Sequence, residues 1–255
     1  MIVEIIPHST QPAEIISSFM AGQTLTTGRE YGVGDVQLGM PIPNPGTVVC
    51  MGLNYRDHAK EGGNPIPDYP AIFLRAASSL IPDGAPLIVP KCSDQLDYEA
   101  ELAIVIGRTA RNVAEQDALS YVFGYSCFND GSIRNYQRKS TQWTIGKNFD
   151  DTGAFGPSVV TANELPAGAH GLAIRCRLNG ETMQEGNTSE MIFPVARIIE
   201  IVSEAMTLRP GDVILTGTPA GVGYARQPPV FLKAGDVSEV EIEGIGVLRN
   251  PVARA

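Results

Sequence analysis

Chemically distinctive residues are scarce in this sequence: one tryptophan, three histidines and four cysteines among 255 residues. Cys50, Cys92, Cys127 and Cys176 stand far apart with no Cys-x-x-Cys pair, which argues against a zinc site. Each has apolar neighbours and is expected as a reduced, buried thiol. No apolar run approaches the ~20 residues that cross a bilayer. The opening Met1-Ile-Val-Glu-Ile-Ile-Pro is too short for a secretory leader and carries an acid, so cytoplasm is the expected compartment. Basic residues are outnumbered 19 to 28, for a net charge of −9. That balance speaks against nucleic acid or an anionic membrane as partner. A small anionic substrate stays open, because a bound cation and a few local basic groups reverse the field inside a pocket.

Turn formers are plentiful, with 27 Gly and 19 Pro, so many turns and few long helices are expected. Residues 1–45 read as a small first section with a short apolar strand at its start. Its Gly-rich stretch, Gly28 to Gly39, lacks the spacing of a dinucleotide-binding loop. Pro41-Ile-Pro-Asn-Pro reads as an extended connector, and residues 46–255 as one larger domain of short strands separated by turns. Val48–Met51 is predicted as a buried strand. Asn54–Glu61 is predicted as a short helix capped by Asn54 and ended by Gly62-Gly63. A strand follows over Asp97–Ile106, a helix over Ala114–Val122, and a strand through Gly124–Phe128. Asn179-Gly180 signals a hairpin after Arg175–Leu178. Pro194–Met206 is the clearest helix, with Ile198, Ile199, Val202, Ala205 and Met206 on one stripe. Val213–Thr216, Val240–Glu243 and Gly246–Leu248 read as strands. The sum is a β-rich α+β fold with a few covering helices.

Alternation along Asp97–Ile106 puts Tyr98, Ala100, Leu102, Ile104 and Ile106 on a core face, with Asp97, Glu99, Glu101, Ala103 and Val105 opposite. Glu99 and Glu101 then point the same way, with Cα atoms roughly 7 Å apart. Two such charges repel unless a hard cation with oxygen ligands sits between them, and Asp130, in Phe128-Asn-Asp-Gly, offers a third carboxylate. The same spacing fits a solvated sheet face, and Glu239, Glu241 and Glu243 repeat it. His58 and Glu61, at i and i+3, share a helix face. They suit an oriented base, and equally a surface ion pair. Arg134, Gln137 and Lys147 carry groups able to bind a carboxylate or polarise a carbonyl, or merely to face solvent. Thr218, in Thr216-Gly-Thr-Pro-Ala-Gly, lies either in a substrate-binding loop or in a plain turn.

Five ordered stretches resolve these alternatives: Gly52-Leu-Asn-Tyr-Arg-Asp-His-Ala-Lys-Glu61, Asp97-Tyr-Glu-Ala-Glu101, Gly124 through Asn129-Asp-Gly-Ser-Ile-Arg134 to Gln137, Gly146-Lys-Asn-Phe-Asp150 and Leu215-Thr-Gly-Thr-Pro-Ala-Gly-Val222. Together they resemble the fumarylacetoacetate hydrolase family, in particular its shorter members. The resemblance runs from about residue 46 to the C-terminus. It implies mixed β-sheets rolled around a central metal site, with Glu99, Glu101 and Asp130 as ligands of Mg²⁺, or of Mn²⁺ or Ca²⁺. Asn54-Tyr55 stands where larger members carry a fourth Asp ligand, so three protein carboxylates are expected. The resemblance further implies a His58–Glu61 catalytic dyad on a lid, a catalytic Lys147, substrate contacts from Arg134, Gln137 and Thr218, and a homodimer acting on a small anionic 2-oxo acid. The leading expectation is hydrolysis of a C–C bond in acylpyruvate-type 2,4-dioxo acids such as fumarylpyruvate or acetylpyruvate. The alternative keeps the site and changes the reaction, to decarboxylation of oxaloacetate-like acids or isomerisation of 2-hydroxymuconate-type diacids. A non-catalytic, cation-stabilised scaffold is a third reading, against which the dyad and Lys147 speak.

Overall fold

A computed structural model describes residues 2–4, 11–23, 30–32, 35, 38–63 and 65–255. Half of the Gly-rich stretch, and with it part of the predicted first section, lies outside the described residues.

Two mixed sheets form the body. The larger has seven strands, in the order Ala71–Arg75, Val48–Gly52, Val213–Leu215, Ala100–Ile106, Val122–Asp130, Gly153–Thr161 and Leu80–Ile81. The smaller has five, in the order Glu181–Asn187, Ala173–Leu178, Val237–Ile242, Gly246–Arg254 and Leu87–Val89. Val213–Leu215 runs parallel to Val48–Gly52 and antiparallel to Ala100–Ile106. The hairpin forms at the expected two residues: Asn179 (φ 53°) and Gly180 (φ 83°) both adopt the left-handed conformation that this tight turn requires. The β-rich α+β reading therefore holds.

The central strand Ala100–Ile106 is buried along its whole length. Leu102, Ile104 and Ile106 face a core shared with the smaller sheet and with the helix Val195–Ala205, which contributes Ile198, Ile199 and Val202. Ala103 and Val105 face a second core that includes Val48, Val213, Phe128 and Phe155. Ile16 of the helix Pro12–Met20 also joins that second core. The face opposite Leu102 is thus covered, and a solvated sheet face is ruled out there. Burial on both faces is what a mid-sheet strand between two packed layers requires.

Several predicted elements shift. The strand predicted over Asp97–Ile106 breaks at Tyr98-Glu99, leaving a short Leu96–Asp97 piece paired with Ser132–Ile133. The helix predicted over Ala114–Val122 is a single turn, Glu115–Ala118, followed by a 3₁₀ turn, Leu119–Tyr121. Ala205 of the predicted apolar stripe is exposed, while Ile201 is buried. Asn54 does not cap the helix, which spans Arg56–Glu61. Its carboxamide instead donates to Thr216 O (2.7 Å) and Phe193 O (3.0 Å) and accepts from Phe193 N (2.7 Å), tying three segments together. Cys50, Cys127 and Cys176 are buried as expected, and burial pushes the thiols of Cys127 and Cys176 up to about 12. Cys92 is exposed, because it follows Lys91 in a surface turn rather than a strand. Among the described residues no helix is long and apolar enough to cross a membrane.

Candidate active site

Cross-strand pairing assembles the acidic trio. Ala100 faces Asn129 and Glu101 faces Phe128 in the antiparallel ladder. Asp130, the last residue of its strand, continues that ladder by donating its N–H to Glu99 O at 2.9 Å. Glu101 on its strand and Glu99 just before that strand thereby meet a third carboxylate from the neighbouring strand. Carboxylate oxygens of Glu99, Glu101 and Asp130 lie within 4.8 Å of one another, and all three residues are buried. The other alternating set behaves differently. Glu239 and Glu241 are partly exposed and pair with Arg177, the ordinary condition of a sheet surface.

The three carboxylates are unequally compensated. Glu99 lies 2.6 Å from Lys147 Nζ and 2.6 Å from Arg134 Nη2. Burial pushes its pKa up, but Lys147 and Arg134 outweigh that and hold it at about 2. Asp130 receives Lys147 Nζ at 2.5 Å and Arg75 Nη1 at 2.6 Å. Glu101 forms no ion pair among the described residues. Its carboxylate accepts a hydrogen bond from Gly217 N at 2.8 Å. Burial, then the neighbouring Asp130 and Glu99, push it well above the usual carboxylate range. Three buried carboxylates with one lacking a counter-cation form a donor set that suits a hard divalent ion, with room for further oxygen ligands from a substrate.

Lys147 is buried against the trio rather than free in the cavity. Desolvation opposes its charge, yet Asp130 and Glu99 raise its pKa, so it stays an ammonium. Arg134, expected as a direct carboxylate ligand, is 3 % exposed and already committed. It donates from Nε to Asp97 Oδ2 at 2.8 Å, pairs with Glu99, and donates from Nη1 to Gln137 Oε1 at 2.8 Å. Gln137 thus faces the cavity as Arg134's partner. Thr218 is buried on the cavity wall, where its hydroxyl oxygen accepts from Gln184 Nε2 at 2.8 Å. His58 lines the same cavity and faces Glu61 Oε2 from Nδ1 at 3.4 Å. Glu61 also accepts from Gly221 N at 3.0 and 3.2 Å, which pins the short helix onto the loop after Thr218. The cavity measures about 400 Å³ and is further lined by Phe73, Arg138, Trp143 and Tyr224. Gly52 lets Trp143 lie against the backbone, since a Cβ there would fall 2.2 Å from the indole.

Two supporting residues were not expected from the sequence. Asp97 accepts from the N–H groups of Gly223 (2.8 Å), Tyr224 (3.0 Å) and Tyr98 (2.8 Å) while holding Arg134. Arg75 ends the edge strand Ala71–Arg75, where it reads as a surface arginine. It is in fact 4 % exposed and clamps Asp130, Gly131 O, Thr152 and Ser79. The available signal was Gly153, whose missing side chain leaves space for the guanidinium, since a Cβ there would fall 2.6 Å from Arg75 Nη2. Removing Arg75 leaves the buried Asp130 with Lys147 but without its second cation, and takes a donor from Thr152. Arg75→Met is therefore expected to cost about 3–5 kcal/mol of stability in EDTA, with Arg75→Lys recovering part of it. Urea unfolding checks this, and a loss below about 1 kcal/mol would contradict the clamp.

The fumarylacetoacetate (FAA) hydrolase C-terminal family matches residues 47–253. The chain belongs to the fumarylacetoacetate hydrolase family. Among curated relatives, oxaloacetate tautomerase fahd2, mitochondrial, from Xenopus laevis is 46% identical over 220 residues, covering 86% of this chain and 69% of that protein. The solved 5-carboxymethyl-2-hydroxymuconate delta-isomerase from Mycobacterium smegmatis superposes with a TM-score of 0.80 at 39% identity, covering 91% of this chain and 88% of that one. The fumarylacetoacetate hydrolase from Exiguobacterium antarcticum gives a TM-score of 0.83 at 39% identity, covering 96% of this chain and 88% of that one. The fold of the family is therefore the fold of this chain, and it is that of an enzyme family whose site accommodates a divalent metal.

Proposed function

We propose that this chain is a divalent-cation-dependent enzyme that moves protons, and in some substrates carbon dioxide, at the carbon beside the carbonyl of a small 2-oxo acid. Tautomerisation or decarboxylation of oxaloacetate-like acids is the first reading, and isomerisation of 2-hydroxymuconate-type diacids is its near neighbour. The observation that carries it is the buried trio with its uncompensated Glu101, opening into a cavity that also presents His58 and Lys147. The names borne by the tautomerase and isomerase relatives favour this reading over C–C hydrolysis.

Glu99, Glu101 and Asp130 would hold the ion, with Mg²⁺ or Mn²⁺ suiting the oxygen donors. Such an ion supplies a Lewis acid that draws electron density from a carbonyl. His58 takes the proton from the carbon next to that carbonyl and returns it to a different atom. Glu61, fixed by the Gly221 amide, keeps the imidazole turned toward the cavity. Lys147 places a permanent positive charge beside the oxygen that gains electron density. The Thr218 hydroxyl can donate to the substrate carboxylate while Gln184 holds its oxygen.

Hydrolysis keeps one specific support, the likeness to a structure named fumarylacetoacetate hydrolase. It would ask His58 to deprotonate water instead of carbon. Proton NMR in D₂O with Mg²⁺ separates the reactions. Oxaloacetate should show accelerated keto–enol exchange or release of carbon dioxide, while acetylpyruvate should not yield acetate faster than the blank. Acetate formation would restore hydrolysis as the leading reading. No acceleration with any 2-oxo acid under Mg²⁺ or Mn²⁺ would remove the whole proposal.

A further inference from the structure

Four cationic or potentially cationic side chains line the cavity: His58, Arg134, Lys147 and Arg138. Three are engaged, His58 with Glu61, Lys147 with Glu99 and Asp130, and Arg134 with Asp97 and Glu99. Arg138 alone of the four makes no ion pair and no side-chain hydrogen bond among the described residues. It is exposed, whereas the acidic trio in the same cavity is buried. Its position is nonetheless fixed. The guanidinium carbon lies 4.2 Å from the centroid of the Tyr224 ring, with Arg134 at 4.5 Å from the same ring. Tyr224 is held in turn by its N–H bond to Asp97 at 3.0 Å. Stacking of this kind orients the planar fork while its N–H edges stay available to a ligand.

We infer that Arg138 selects dicarboxylic substrates, its stacked guanidinium binding the carboxylate remote from the 2-oxo end. This rests on the 2-oxo acid reading above and adds what that reading lacks, a cation for the second anionic group. Arg134 is the poorer candidate for that role, because it is buried and its charge already pairs with Asp97 and Glu99. In a chain of net charge −9, an unpaired arginine in the cavity lining is the local feature that favours a second negative charge.

Trp143, the sole tryptophan, lines the cavity and reports binding without turnover. Its fluorescence, with Mg²⁺ present, would be titrated with 2-oxoglutarate and with 2-oxovalerate, which has the same length but no second carboxylate. The wild type should prefer the diacid. Arg138→Gln should lower that preference about tenfold, and Arg138→Lys should retain most of it. For oxaloacetate turnover, Arg138→Gln should raise KM about tenfold and change kcat by less than about threefold. A diacid preference unaltered in Arg138→Gln, or equal affinities in the wild type, would overturn the assignment while leaving the 2-oxo acid reading standing. Failure of the wild type to respond to either acid would sink that reading, and this inference with it.

Discussion

Glu101→Gln is expected to abolish metal-dependent turnover and, in EDTA, to make the protein harder to unfold. Both effects come from one feature. Glu99 and Asp130 each have cations within 2.6 Å, whereas the Glu101 carboxylate, on a residue 2 % exposed, has only the Gly217 N–H among the described residues. A buried charge without a partner opposes folding. Glutamine fills the same volume and its carbonyl still accepts from Gly217, so the substitution removes the charge and keeps the contact. A gain of about 1–3 kcal/mol without metal follows, in line with sites that trade stability for activity. The gain should depend on pH. The folded-state pKa of Glu101 lies above its ordinary value of 4.5, so the folded wild type binds more protons than the unfolded chain in that window. Its stability therefore falls as pH rises from near 4.5 through the raised value, and the advantage of glutamine grows over the same interval. With Mn²⁺ the order should reverse, since loss of one of three carboxylates weakens the ion at least ~100-fold and with it the stabilisation that binding confers. Thermal melts in EDTA and in Mn²⁺, together with turnover, decide the matter. A Glu101→Gln protein that melts lower in EDTA, or that keeps its Mg²⁺-dependent rate, would show the carboxylate to be a structural partner.

Local patterns carried the sequence reading far. Residue alternation placed Glu99 and Glu101 on one side of a strand, and Asn179-Gly180 specified a hairpin at its observed position. The resemblance then chose between two stretches that alternate equally well. What stayed hidden depends on contacts distant in sequence. Asp130 was expected as the third carboxylate, but the pairing that brings it to Glu99 is set by the register of two strands. Arg75 reaches Asp130 across 55 positions, and nothing near Arg75 marks it as buried. Asn54 precedes a helix with the chemistry of a cap, but its carboxamide is claimed by Phe193 and Thr216. Arg134 lines the cavity as expected, but its pairing with Asp97 emerges only in the folded chain.

His58→Ala is expected to lower kcat by about 10²–10⁴ while leaving Mn²⁺ affinity within about twofold. The separation follows from position. His58 stands on the helix Arg56–Glu61, outside the strands that carry the trio, and contacts Glu61 rather than Glu99, Glu101 or Asp130. Removing it subtracts a proton acceptor from the cavity wall and leaves the ligands in place. Glu61→Gln is the finer probe. An amide can still meet the imidazole, and its oxygen can still accept from Gly221, so the helix stays pinned, but the charge that steadies a protonated ring is gone. Its kcat should fall less than that of His58→Ala, and the double variant should be no slower than His58→Ala alone, because the two residues act as one unit. Titration of Mn²⁺ by calorimetry, with deuterium incorporation into oxaloacetate as the rate assay, checks both halves. If His58→Ala keeps kcat within about threefold, or if it loses metal as severely as Glu101→Gln, the proton is carried by another group and the helix serves only to close the cavity.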